Sequence, residues 1–130
     1  MANLIDYEKV HKVYNSGKDE VVALEEISFN VAEGEFVTVV GRSGCGKSTL
    51  LKITAGLLSS TGGSVRVAGA PVLGPLTNIG IVFQSPVLLA WRRALDNVLL
   101  QIESRKLKVE QYREKALRLL ELNGLKGFEY

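Results

Sequence analysis

The chain has 130 residues, 46% of them apolar, and a formal net charge of +2. That length suits one small domain with room for a core. The charge is small and scattered, which argues against the concentrated basic face of a nucleic-acid binder. A single cysteine excludes an internal disulfide and suits a reducing compartment. The opening stretch "MANLIDYEKVHKVY" carries no signal-peptide pattern. No apolar run approaches the roughly 20 residues of a membrane-spanning helix, so a soluble, cytosolic chain is expected.

In chain order, residues 4–14 are rich in β-branched and aromatic side chains and predict a strand. "NSGKDE", residues 15–20, has turn chemistry. "EISFNV" alternates Ile27, Phe29 and Val31 against polar residues, as a half-buried strand does. "FVTVV", residues 36–40, is nearly all apolar and predicts a strand buried on both faces. A helix is expected from Lys47 to Leu57. "SVRVAG" predicts a short strand, and "NIGIVF" a second buried strand ending at Gln84. The segment from Ser85 begins as a loop and turns helical near Arg93. "VEQYREKALRLLELNGL" is the clearest helix, with Val109, Tyr112, Ala116, Leu119, Leu120 and Asn123 on one side. Gly124 is placed to cap it in a left-handed conformation, with Leu125 packing back. The class is α/β, with an antiparallel element first and a parallel element around residues 36–40.

Between the strand at 36–40 and the helix at 47 lies Gly41-Arg42-Ser43-Gly44-Cys45-Gly46-Lys47-Ser48, which fits G-x-x-x-x-G-K-[ST]. Gly41, Gly44 and Gly46 let the backbone turn its N–H groups inward. Those donors meet phosphates at the positive end of the helix that follows. Lys47 adds a mobile point charge, Ser48 a hydroxyl for Mg²⁺, and Thr49 a second hydroxyl. Strand, glycine loop and helix in that order are the context the motif requires. Cys45 at a helix start could be a reactive thiol; a small side chain that fits the turn is the better account, since no base adjoins it. His11, the single histidine, alternates with strand residues and reads as structural. Gln84 stands at a strand's C-terminal end, where ligands of open α/β sheets gather. From position alone it is either a metal or water ligand or a polar strand end. Tyr14 at a strand end is either a base-stacking platform or packing. No apolar strand ending in Asp, the usual second Mg²⁺ ligand, follows the loop.

"VVGRSGCGKSTLLKITAGL", "SSTGGSVRVAG" and "IGIVFQ", in this order, resemble the ATP-binding subunits of ATP-binding-cassette (ABC) transporters. "LLAWRRALDNVLL" is similar to the nitrate, sulfonate and taurine importer branch. The resemblance implies a P-loop NTPase fold in its N-terminal part: an antiparallel β element, an incomplete parallel sheet, the Walker A helix, and the start of a helical subdomain. It implies a division at residues 1–92 and 93–130. It makes Gly41 to Thr49 the Walker A loop, binding ATP and Mg²⁺ through Gly41, Arg42, Ser43, Gly44, Cys45, Gly46, Lys47, Ser48 and Thr49. Ser48 and Gln84 would be metal ligands, with Lys47 and Gln84 catalytic. Tyr14 would stack on adenine, with Val22 beneath it. The segment from Ser85 to Asn97 would face transmembrane permease subunits. Further partners implied are a second ATP-binding subunit and, indirectly, a solute-binding protein, with the subunit peripheral on the inner face of the membrane. The implied activity is ATP hydrolysis driving import. The family's signature motif, Walker B Asp, catalytic Glu and switch His fall beyond Tyr130, so little hydrolysis is expected of these residues alone. Two other readings are a nucleotide-binding module without hydrolysis and another P-loop class such as a small kinase.

Overall fold

A computed structural model describes residues 3–17 and 19–130. The chain divides into two compact units, Met1–Ile81 and Val82–Tyr130. The first is built on a four-stranded sheet in the order β2-β1-β3-β4, with every ladder antiparallel. Its strands are β1 (Asn3–Ser16), β2 (Asp19–Ala32), β3 (Gly62–Val67) and β4 (Ala70–Pro71). β1 and β2 form a hairpin longer than the alternation of residues 26–31 predicts. The ladder runs to Ser16 and Asp19, so most of the expected turn is strand; Gly17 stands at φ +66°, and Lys18 lies outside the described residues. β3 and β4 turn through Ala68 and Gly69, both at positive φ, the pair of conformations a two-residue hairpin loop demands.

Helix α1 (Lys47–Thr54) lays Leu50 and Ile53 onto Tyr7, Val10, Leu24 and Val65 of the sheet. It ends three residues before the expected Leu57. Gly56 at φ +71° turns the chain back, Gly56 N–H donates to Ile53 O, and Leu57 N–H donates to Lys52 O. This pair of bonds is a Schellman cap. Tyr7 locks the helix to the sheet: its ring stacks on Phe29 at 4.3 Å, and its hydroxyl lies 2.7 Å from Thr54 Oγ1. Burial pushes the Tyr7 pKa up, partly opposed by the Thr54 hydrogen bond.

The strands expected at residues 36–40 and 78–83 do not form. Phe36 is 92% and Val82 99% exposed. The reason is pairing. A strand buried on both faces needs a ladder on each edge, and every strand of the described residues is already used in the antiparallel sheet. The parallel part of the expected sheet is therefore not assembled among the described residues.

In the second unit, α2 (Ala94–Ser104) and α3 (Glu110–Leu122) pack as a pair. Leu95 and Leu99 of α2 meet Ala116 and Leu120 of α3, each pair one turn apart. Gly124 adopts φ +75°, as the sequence predicts for this cap, and Leu125 N–H donates to Leu120 O, but the Leu125 side chain is exposed and not packed back on the helix. Leu119, expected on the buried side, is instead exposed. A single partner helix covers a narrow stripe, and Leu119 falls outside it. No helix among the described residues is long and apolar enough to cross a membrane.

Candidate functional site

The glycine loop lies between the unpaired residues 36–40 and the first turn of α1. Gly44 sits at φ +80° and Gly46, the N-cap of α1, at φ +95°. Both are left-handed conformations that cost an ordinary residue strain. Gly46 has a second constraint: a Cβ there would lie 2.3 Å from Ala23 O and 2.7 Å from Leu24 Cδ2. The loop is thus seated directly on the backbone of β2. Gly41 is tight for another reason, because a Cβ there would meet Cys45 Sγ at 2.5 Å. Cys45 N–H donates to Arg42 O at 3.3 Å and closes the turn. The Cys45 side chain is exposed and fills the bend of the loop.

Lys47 folds back across the loop. Its Nζ donates to Gly41 O at 2.8 Å and Arg42 O at 2.7 Å, and lies 3.6 Å from Cys45 Sγ. No side chain caps the N-terminus of α1 and no acidic residue stands in its first turn. Lys52 occupies the last turn, where a cation is favourable. The positive end of α1 is therefore left without a protein anion, beside an ammonium group. That arrangement suits phosphate oxygens in charge and in the geometry of its donors.

Tyr14 reaches this loop from the hairpin. The β1–β2 register slips between Val10 and Val13, and a bulge re-aims the strand that follows. Tyr14 is 39% exposed, and its hydroxyl lies 3.4 Å from Thr49 Oγ1. Lys12 Nζ stands 5.3 Å from its ring centroid. Val22 is exposed on β2 and pairs with Val13; the residue across from Tyr14 is Val21, also exposed. Sequence alternation does not single out Val21, because its pairing follows from how far the ladder runs into the expected turn, to Ser16 and Asp19. Ser48 is exposed on the first turn of α1. Gln84 belongs to the other unit, exposed in the irregular segment that leads to α2. His11 is structural: its ring lies against Gly62, where a Cβ would come within 2.1 Å of Cε1. Among the described residues no group of three or more His, Cys, Asp or Glu side chains could hold a metal.

The model of the ABC transporter family matches residues 24–130, which include the whole loop and both helices of the second unit. The chain belongs to the ABC transporter family. An uncharacterized ABC transporter ATP-binding protein of Methanocaldococcus jannaschii is 41% identical over 94% of this chain and 46% of its own length. A taurine import ATP-binding protein of Burkholderia pseudomallei is 40% identical over 94% of this chain and 47% of its own. This ABC chain thus spans about half the length of those curated relatives. It is also similar to a solved dimeric ATP-binding cassette in a post-hydrolysis state with ADP and Pi. The TM-score is 0.83 at 32% identity, covering 96% of this chain and 60% of that one. The P-loop NTPase class expected from the sequence is the class of that cassette.

Asn97, named in the sequence only as the end of the segment from Ser85, has a structural role that was not read there. The Asn97 carboxamide accepts from Leu89 N–H at 2.8 Å and lies within 3.2 Å of the carbonyls of Leu89, Arg92 and Arg93. An asparagine in the first turns of a helix is a usable signal, because its amide competes for nearby backbone groups.

Proposed function

We propose that this chain grips ATP–Mg²⁺ as part of the energising ATP-binding component of an ABC solute importer. The observation that carries the reading is the loop itself: an uncapped helix N-terminus, two left-handed glycines and the Lys47 ammonium meet on one short stretch of backbone. The N–H groups from Gly41 to Thr49, those of Arg42, Ser43, Gly44, Gly46 and Ser48 included, donate to the phosphate oxygens, and Cys45 joins them by giving up its 3.3 Å bond to Arg42 O. Lys47 exchanges its contacts with Gly41 O and Arg42 O for the terminal phosphates. Ser48 offers its hydroxyl oxygen to Mg²⁺, which when bound supplies charge neutralisation on the phosphates; Gln84 is assigned to the metal by the family resemblance alone. Tyr14 stacks on the base, with Val22 on the same hairpin beneath it.

Residues 1–92 form the nucleotide-binding part in this reading, and residues 93–130 begin the helical part. ATP hydrolysis and import belong to the assembled transporter. Its partners are transmembrane permease subunits on the segment from Ser85 to Asn97, a second ATP-binding subunit, and indirectly a solute-binding protein. The component sits peripherally on the cytoplasmic face of the membrane. The relatives support the importer reading: one is a taurine import ATP-binding protein.

The test is titration of a fluorescent ATP analogue with Mg²⁺ against wild type and Lys47→Ala. Loss of a charge-assisted contact predicts a deficit of about 2–3 kcal/mol. Equal affinity with an unchanged melting curve would remove the loop from the phosphate site.

A further inference from the structure

Residues 85–93 form no helix or strand, yet residues 89–93 are held firmly. Asn97 binds both backbone groups of Leu89: Oδ1 accepts its N–H at 2.8 Å and Nδ2 donates to its carbonyl at 3.2 Å. A carboxamide presents a donor and an acceptor side by side, as a neighbouring strand would. The same Nδ2 reaches Arg92 O and Arg93 O, each at 3.1 Å. Arg92 N–H donates to Leu89 O at 3.0 Å, and Arg92 Nη1 pairs with Glu103 Oε2 at 2.6 Å. The segment is fastened to α2 at both its backbone and a side chain. The same stretch of chain carries Val87, Leu88 and Trp91, all exposed, Trp91 at 81%.

We propose that Asn97 is a positioning residue: it holds residues 89–93 in one conformation, so that Trp91 is presented ready-ordered to the permease. This rests on the reading that the segment from Ser85 to Asn97 faces the permease. A loop ordered in advance loses less entropy on docking than a loop ordered by its partner. A role in α2 itself explains the residue poorly. Asn97 lies inside the helix, four residues past the N-cap Arg93, where alanine is the better helix former.

The test compares the wild-type chain with Asn97→Ala and Asn97→Asp. Asn97→Asp keeps the shape and an acceptor but removes both N–H donors, leaving three carbonyls facing a carboxylate. Three signals are read on each: far-UV circular dichroism, amide exchange protection at Leu89 and Arg92 by NMR, and fluorescence anisotropy of Trp91, the single tryptophan. In Asn97→Ala, protection at Leu89 and Arg92 falls about tenfold, the ratio one net hydrogen bond supports. Trp91 anisotropy drops in both variants while the helical signal holds. Leu89 protection within twofold of wild type in Asn97→Ala overturns the proposal, as does wild-type Trp91 anisotropy in Asn97→Asp. Loss of helical signal in parallel with protection also overturns it, by making the residue part of helix stability alone. The readout is internal to the chain, so a permease that fails to bind would count against the docking reading and not against the clamp.

Discussion

Gly46→Ala tests how the phosphate loop is seated, and Gly44→Ala is its internal control. Both glycines are left-handed, at φ +95° and +80°. An alanine in that region costs roughly 1–2 kcal/mol. Reduced freedom of the unfolded chain offsets about 0.4–1 kcal/mol of it. Gly44 has nothing within 4 Å of a built Cβ, so its substitution stops there, at about 1 kcal/mol. At Gly46 the added carbon would meet Ala23 O at 2.3 Å and Leu24 Cδ2 at 2.7 Å. A backbone carbonyl cannot swing aside, and overpacking of this kind adds about 1–3 kcal/mol. The total for Gly46→Ala is then about 2–4 kcal/mol, a large share of a total stability of roughly 5–15 kcal/mol. With a urea slope of about 2 kcal/mol per molar, the midpoint falls by about 0.5 M for Gly44→Ala and about 1–2 M for Gly46→Ala. Equilibrium urea denaturation followed by circular dichroism reads both. Coincident midpoints for the two variants would refute the reasoning, because the loop would then not rest on β2.

Three further outcomes are expected. Tyr14→Ala should weaken binding of a fluorescent ATP analogue by roughly 1–2 kcal/mol and Tyr14→Phe far less; equal losses would put the effect on the hydroxyl contact to Thr49 and remove the stacking role of the ring. Tyr7 has its pKa raised above 10.0 by burial, so its contribution is complete below the ordinary tyrosine pKa and is lost as pH rises through the folded value. Denaturation midpoints should therefore fall more steeply above pH 10 in wild type than in Tyr7→Phe; parallel curves would refute it. Val82→Lys, at a residue 99% exposed, should reduce self-association of the chain by breaking an apolar, unpaired stretch, as read by size-exclusion chromatography. An unchanged elution profile would take that stretch out of any association.

The loop was legible in the sequence because its chemistry is local. A strand-like run, three glycines, Lys47 and Ser48 are read within one short stretch, and the φ angles of Gly44 and Gly46 follow from the turns such a loop makes. The cap at Gly124 was legible on the same ground, since a helix end is decided by its own last residues. Tertiary structure decided whatever depends on a partner distant in the chain. Residues 36–40 have the composition of a buried strand, but composition cannot supply a neighbouring ladder, and they stand exposed. The pairing of Tyr14 with Val21 is set by the ladder's closing at Ser16 and Asp19, inside the stretch the sequence reads as turn. The seat of Gly46 on Ala23 exists only once the hairpin has folded against α1. Asn97 needed the chain to double back, so that one side chain could meet both backbone groups of a residue eight positions earlier.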